Sequence, residues 1–199
     1  HPYTSPTAST TNRQTTDKLE HLAGFVRDVV VEKGEAAKPM WFTEYGVPIQ
    51  EGVMTEERAA DYAVIVMVHS LSMGYVEKAF LYNLRNDGTD PKDKEQNFGL
   101  LNHDLSPKPA YFAYRNLIRL LEGARFVELQ RADGVAKYVF ESPAGQVLVL
   151  WSEDDESREV SIEAASTEVF DVIGRRASIA AGQGKVTVTP SPRFVVITR

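Results

Sequence analysis

An alternation of helical and strand patterns over the first 121 residues constrains the fold more than any other feature of the chain. Apolar residues at helical spacing predict three helices, over residues 17–32, 55–73 and 109–121. Short apolar runs at residues 40–43 and 78–83 predict two buried strands between them. No hairpin turn signal joins the two strands, so the helix between them predicts a crossover and parallel pairing.

These five elements do not make a complete domain. A parallel sheet needs cover on both faces, and two strands with three helices are too few to provide it. We therefore predict that further strands come from a preceding part of the same gene product, from a partner chain or from a second copy of this chain. The chain also begins at His1 without an initiator methionine or signal region, which we interpret as a cut that leaves a secreted and a cytoplasmic location equally open.

The pattern changes at Gly123, and the residues after it predict a second, all-β domain. We divide the chain into residues 1–123 and 124–199 and predict that the second part is a small β-sandwich. Short apolar segments separated by turn residues predict strands at residues 135–140, 147–151, 159–162, 168–172, 185–189 and 194–198.

Composition excludes several classes of protein. The 43% hydrophobic and 25% charged content is ordinary for a soluble globular chain. A net charge of -6, with both signs interspersed, leaves no basic face for a nucleic acid. The chain has no cysteine, which excludes disulfides and cysteine-ligated metals. Its longest apolar run, residues 62–68, is too short to cross a membrane, and no motif predicts a metal or organic cofactor.

The first predicted strand ends in a glutamate, and this residue is the strongest candidate for chemistry. The segment 38–46 runs through an apolar strand into Glu44, Tyr45 and Gly46. In an α/β barrel, a carboxylate at the carboxyl end of a strand occupies a catalytic position. The alternative is a strand-end carboxylate that only pairs with a nearby lysine or arginine.

Several motifs together resemble the last part of clan A retaining glycoside hydrolases. They are His1-Pro2-Tyr3, Thr43-Glu44-Tyr45-Gly46 and the stretches 80–88, 97–104 and 106–114. Within that clan the motifs resemble the xylosidase/iduronidase-like and cellulase-like families, whose catalytic domain is a TIM barrel with an appended β-sandwich. The resemblance covers residues 1–121 and implies an α/β fold, a partial TIM barrel made of its last strands and helices, with the all-β domain after it.

The resemblance also implies a role for each motif residue. Glu44 would be the nucleophile that attacks the anomeric carbon of a carbohydrate substrate. Tyr3 would donate a hydrogen bond to Glu44, and His1 would hold the sugar or a neighbouring carboxylate. The other residues expected to bind substrate are Tyr45, Tyr82, Asn83 and Arg85.

The second catalytic group of these families is absent from this sequence. Their acid/base glutamate follows an asparagine, and no such pair occurs in the 199 residues. Glu51, Asp87 and Asp90 are the local candidates to replace it. The alternative from another class is a non-catalytic assembly or carbohydrate-interaction module that oligomerises through its open half-barrel.

Four further expectations concern packing. Trp41 is expected in the core, and His69 is expected to be a packing residue on an apolar helix. Truncation of Phe42 should destabilise the protein, because this residue is predicted to lie in a buried strand. Gly46 and the polar loop at 85–96 should tolerate change better than Phe42 does.

Overall fold

The computed structural model describes residues 1–162, 167–177 and 184–198. The first part comprises α1 (Asn12–Glu32), β1 (Met40–Tyr45), α2 (Glu56–Ser72), β2 (Val76–Leu81) and α3 (Pro109–Leu121). The second part comprises β3 (Arg125–Ala132), β4 (Val135–Ser142), β5 (Gly145–Ser152), β6 (Arg158–Ser161), β7 (Thr167–Phe170), β8 (Arg176–Ala177), β9 (Lys185–Val188) and β10 (Arg193–Thr198). A 3₁₀ turn at Lys94–Gln96 lies in the long loop between β2 and α3. None of the described helices has the length and apolar character that a membrane span requires.

The parallel pair predicted from the sequence is confirmed. Strands β1 and β2 pair in parallel, with Trp41 opposite Lys78 and Phe42 opposite Ala79. Helix α2 connects the two strands and packs against β2 and α3. Helices α2 and α3 match the predicted bounds within one residue, whereas β2 lies two residues earlier than predicted.

Helix α1 begins five residues before its predicted start. The Thr11 hydroxyl accepts a hydrogen bond from the Gln14 amide, and the Gln14 side chain accepts one from the Thr11 amide. This capping box satisfies two backbone donors that the start of a helix otherwise leaves free. The prediction missed the first turn because residues 12–16 are polar and carry no apolar period.

Antiparallel strands dominate the second part of the chain. A six-stranded sheet has the order β3-β4-β5-β10-β7-β8, and β6 pairs separately with β9. Each strand predicted in this part coincides with an observed one, whereas β3 and β8 are not among the predicted strands. Strand β3 lies at the edge of the sheet and interleaves charged with half-buried apolar residues, which obscured its period. Strand β8 is only two residues long.

Alternating residues of the central strands bury both faces of this sheet. One core joins helix residues such as Ile65 to Tyr138 and Trp151 of the sheet. A second core, on the opposite face, joins Leu150 of β5 to Val188 of β9. The period-two alternation that predicted these strands therefore serves two different cores.

Apolar residues of α1 and of the two parallel strands lie exposed in this chain. Phe25 is 68% exposed, Trp41 51% and Phe80 48%. The expectation that Trp41 lies in the core is wrong for this chain, because none of the described elements covers that face of β1 and β2. Val26 and Val29 of α1 are also exposed, although their spacing predicted a buried face. We call Phe25, Val26, Val29, Trp41 and Phe80 the open apolar residues.

Truncation of a buried and of an exposed phenylalanine should have different effects on the free energy of unfolding. Phe42 is 3% exposed and belongs to the core, in contrast to Phe25. Phe42→Ala should lower the free energy of unfolding by about 3 kcal/mol, because it leaves a cavity. Phe25→Ala should change it by less than about 0.5 kcal/mol. Urea denaturation followed by circular dichroism measures both, and equal losses would contradict this assignment of the core.

His69 lies where α2 meets the six-stranded sheet. Its side chain is buried, and Nδ1 lies 2.7 Å from the hydroxyl of Tyr138 in β4. Nε2 lies 3.1 Å from a carboxylate oxygen of Glu20, without hydrogen-bond geometry. The expectation of a packing histidine is confirmed. Burial, helped by the nearby charge of Arg131, lowers the pKa of His69 to about 4, so the imidazole is neutral near pH 7.

Acid should destabilise the protein through His69. Its pKa in an unfolded chain is 6.5, so between pH 6.5 and 4 the unfolded state binds a proton that the folded state does not. The stabilisation is present above pH 6.5 and is lost as the pH falls toward 4. The advantage of the wild type over His69→Gln in unfolding free energy should therefore shrink by about 2 kcal/mol between pH 7 and 4.5.

The contribution of Asp61 to stability has the opposite pH dependence, so the experiment must compare two proteins that both contain Asp61. Burial raises the pKa of Asp61 to about 6, although the Ser191 hydroxyl donates a hydrogen bond to it. Its contribution to stability is present below pH 3.8 and is lost as the pH rises through 6. Both proteins contain Asp61, so its contribution cancels in the difference between them. A difference that stays constant from pH 7 to 4.5 would contradict a neutral buried His69.

Candidate active site

A groove of about 570 Å³ lies beside Glu44, at the carboxyl end of β1. Strand β1, the loop that follows it, the amino-terminal segment and the loop after β2 all contribute to its walls. Among the residues that line it are Tyr3, Glu44, Gln50, Tyr82, Glu95 and Phe98.

Two residues of the amino-terminal segment hold the Glu44 carboxylate. The Tyr3 hydroxyl donates a hydrogen bond to Oε2 at 3.1 Å. Nδ1 of His1 lies 3.0 Å from the same oxygen. Partial burial and the adjacent carboxylate raise the pKa of Tyr3, so the phenol stays protonated and remains a donor. The two contacts fix the orientation of the carboxylate.

A local irregularity of β1 turns Tyr45 into the core and leaves Glu44 at the groove. The pairing register with β2 shifts between Phe42 and Tyr45. The alternation of buried and exposed side chains breaks there, so Phe42 and Tyr45 are both buried although they are three residues apart. The Tyr45 side chain is fully buried in the core, with its hydroxyl 3.5 Å from the carbonyl of Ala63 in α2. The expectation that Tyr45 binds a sugar is therefore wrong. Its neighbour Glu44 lines the groove instead.

Phe98 connects the aromatic residues of the groove. Its ring lies edge-on to Tyr3 at 6.2 Å and edge-on to Tyr82 at 5.4 Å. Tyr82 also lines the groove, and its contact with a sugar stays a prediction. No sequence pattern points to Phe98, although it lies within one of the recognised stretches, because aromatic residues in loops carry no periodic signal.

The other two predicted substrate-binding residues lie outside the wall of this groove. The side-chain amide of Asn83 donates to Asp87 at 3.4 Å, and its side-chain oxygen Oδ1 is buried without a partner among the described residues. The Arg85 guanidinium donates to the backbone carbonyl of His103 at 3.0 Å. Arg85 thus contacts the loop before α3 and is not among the residues that line the groove. Its role in substrate binding stays a prediction.

The carboxylates proposed to replace the missing acid do not line this groove. Glu51 lines a separate pocket of about 650 Å³, and Asp87 accepts from Asn83. Asp90 accepts a hydrogen bond from the Lys92 amide within its own loop. Glu95 is not among the predicted candidates, but it shares the groove with Glu44. In the described parts of the chain, no group of three or more His, Asp or Glu residues could hold a metal ion.

Gly46 is less tolerant of change than the sequence suggested. A Cβ atom at this position would lie 2.2 Å from the carbonyl oxygen of Tyr82. The Tyr82 amide also donates to the Tyr45 carbonyl at 2.8 Å, so the two strand ends are in close backbone contact. Any side chain at position 46 would push against Tyr82 and distort the groove.

Solved structures share this fold, although no family model and no curated protein sequence matches the chain. A family 39 glycoside hydrolase from the gut symbiont Bacteroides cellulosilyticus WH2 superimposes with a TM-score of 0.74 at 22% identity, over 87% of this chain and 37% of its own. A GH30 endoxylanase from Clostridium papyrosolvens C71 gives 0.56 at 12% identity, over 95% of this chain and 46% of its own. A glucosidase from Croceicoccus marinus gives 0.57 at 12%, over 99% of this chain and 52% of its own.

The comparison fixes the fold and the extent of the similarity. The chain spans about half or less of the length of each of these three structures. At these identities the similarity concerns the fold alone. The shared fold agrees with the resemblance of the sequence motifs to clan A glycoside hydrolases. The chain has the fold of a part of the glycoside hydrolases of families 39 and 30.

Proposed function

We propose that this chain is the C-terminal portion of a retaining glycoside hydrolase, that it supplies the nucleophile Glu44 and part of the sugar site, and that another segment supplies the general acid. One observation carries the proposal. Glu44 lies at a strand end, in a groove, with its carboxylate held by Tyr3 and His1. A solvated cap that pairs with a lysine or arginine would not need this arrangement.

In this proposal β1 and β2 are the seventh and eighth strands of a (β/α)8 barrel, and residues 1–123 are the end of that barrel. Residues 124–199 form the appended β-sandwich. The parallel pairing of β1 and β2 supports the barrel, as does their uncovered face with Trp41 and Phe80. The greater length of the structurally similar hydrolases supports it as well.

Glu44 attacks the anomeric carbon in the first step. Its Oε2 is occupied by Tyr3 and His1, so Oε1 forms the bond to carbon while the glycosidic bond breaks. A carboxylic acid roughly 5 to 5.5 Å from Glu44 gives its proton to the leaving oxygen. Water then attacks the glycosyl-enzyme, the same acid residue takes a proton from that water, and Glu44 leaves as a carboxylate.

We assign the acid to the complementary segment and not to Glu95. A general acid needs surroundings that favour its protonated form. The Glu95 side chain is 70% exposed and lies 3.4 Å from the ammonium of Lys94. Glu95 is better suited to contact a sugar hydroxyl at the rim of the groove.

Hydrolysis of two classes of glycoside tests the proposal. Departure of an acidic phenol needs no protonation, whereas departure of an alkoxide does. The 199-residue chain should therefore turn over dinitrophenyl glycosides of the correct sugar but not the matching methyl glycosides. The oligomeric mass should be recorded on the same sample. Failure to hydrolyse either class across a panel of sugars, by folded protein, would contradict a working nucleophile.

A second function has one specific observation in its favour. The open apolar residues Phe25, Trp41 and Phe80 are about half or more exposed, a surface that favours association. The chain would then be a non-catalytic assembly or carbohydrate-interaction module that oligomerises through this surface. A stable oligomer without turnover of any aryl glycoside would support this function over the first.

A further inference from the structure

Lys108 carries a buried ammonium group that the proposed mechanism does not use. The residue is 2% exposed and precedes α3 as its N-cap. Among the described residues it forms no salt bridge. Burial lowers the pKa of Lys108 to about 8, and Glu56 partly opposes that shift. A buried charge is costly unless hydrogen bonds compensate it, so its partners indicate its role.

Both partners of Lys108 belong to the loop between β2 and α3. Nζ donates to Oδ1 of Asn86 at 2.6 Å and to the backbone carbonyl of Asn97 at 3.3 Å. The Asn86 amide donates to Oδ1 of Asn97 at 3.0 Å. Asn86 lies on the limb of the loop that leaves β2, and Asn97 lies on the limb that returns. The ammonium therefore joins the two limbs.

The same asparagines organise the rest of the loop. Oδ1 of Asn86 also accepts from the Gly99 amide at 2.9 Å. The side-chain amide of Asn97 donates to the backbone carbonyls of Asp90 and Asp93 at 2.6 and 2.8 Å. The limbs approach so closely that a Cβ atom at Gly99 would lie 2.2 Å from the Asn86 nitrogen. Correct placement of both limbs thus depends on a small buried polar network centred on Lys108.

This network is adjacent to the groove. Asn97 precedes Phe98, whose ring packs on Tyr3 and Tyr82. Tyr3 in turn holds Glu44. The 3₁₀ turn that carries Glu95 lies between the limbs and ends one residue before Asn97.

We propose that Lys108 is a positioning residue for the groove: its ammonium joins Asn86 to Asn97, and this link places Phe98 against Tyr3 and Tyr82. The consequence for catalysis rests on the proposed function, whereas the effect on the loop does not. Loop order can therefore be measured without any substrate.

Hydrogen exchange of the Gly99 amide tests the proposal, since this amide donates into the network. Lys108→Met removes the donors and keeps the length of the side chain. Gly99 should then exchange at least about tenfold faster, while the amides of α2 remain as in the wild type. Lys92→Met is the matched control, because Lys92 is an exposed lysine of the same loop. The control should leave Gly99 unchanged.

Chemical rescue separates a positioning role from simple filling of space. Lys108→Ala deletes three carbons and the ammonium, which n-propylammonium can replace. Added n-propylammonium should slow the exchange of Gly99 toward the wild-type rate. Tetramethylammonium has the same charge but no N–H donor, so it should have no effect.

Three results would overturn the proposal. The first is unchanged exchange of Gly99 in Lys108→Met. The second and third are equal rescue of Lys108→Ala by both cations and rescue by neither cation. If Lys108→Met exchanges faster throughout the protein, the rescue of Lys108→Ala decides between the two roles. Absence of glycoside turnover in a wild type with a protected Gly99 would contradict the proposed function and leave the role of Lys108 intact.

Discussion

Glu44→Gln should lower the hydrolysis of activated aryl glycosides by at least about 10⁴-fold, the effect typical of removing one member of a catalytic group. The amide has nearly the same size as the carboxylate and can still accept from Tyr3. It lacks the negative charge and the nucleophilic oxygen that form the glycosyl-enzyme. Initial rates with dinitrophenyl glycosides measure the loss, and the circular dichroism spectrum shows whether the variant is folded.

Glu95→Gln is the matched control for this prediction. It makes the same chemical change in the same groove, and its rate should stay within about tenfold of the wild type because Glu95 only contacts substrate in our proposal. A second control is Glu44→Gly with added azide, which can attack from the space that the carboxylate occupied and yield a glycosyl azide of inverted configuration. Equal losses in the two glutamine variants would remove Glu44 from its assigned role.

Trp151→Ala should lower the free energy of unfolding by about 4 to 5 kcal/mol, the upper end for truncating a buried aromatic residue. Trp151 is fully buried, and its ring stacks on Tyr138 at 4.5 Å. Both residues lie in the core that joins the helices to the six-stranded sheet. The cavity would therefore open where the two parts of the chain meet. Total stabilities are commonly about 5 to 15 kcal/mol, so the variant should be near its unfolding threshold.

Trp151→Phe separates the loss of volume from the loss of the indole nitrogen. Nε1 of Trp151 is buried without a hydrogen-bond partner among the described residues, so its removal should not be costly. We expect a loss of less than about 1.5 kcal/mol for this variant. Urea denaturation should be followed by circular dichroism, because the exposed Trp41 is the other tryptophan and reports poorly on the core. A loss below 2 kcal/mol in Trp151→Ala would show that the sheet packs independently of the helices.

The sequence alone determined the order of elements and the candidate nucleophile. Apolar periodicity is a local property, so it predicted α2, α3 and the parallel pair β1 and β2 with small errors at their ends. The motif around Glu44 is also local, because a strand end and the residue types after it are visible in consecutive positions. The requirement for cover on both faces of a parallel sheet predicted missing structure, and the exposure of Trp41 and Phe80 agrees with it.

The tertiary structure decided which residues meet. Tyr45 and Tyr82 have the same side chain near two strand ends, but a register shift in β1 buries one while the other lines the groove. Phe98 and Glu95 reach the groove because a loop folds back, and the backbone of Tyr82 leaves no space for a side chain at Gly46. These outcomes depend on contacts between residues far apart in the chain. Such contacts are set by packing and hydrogen bonds of the folded protein, so no local pattern contains them.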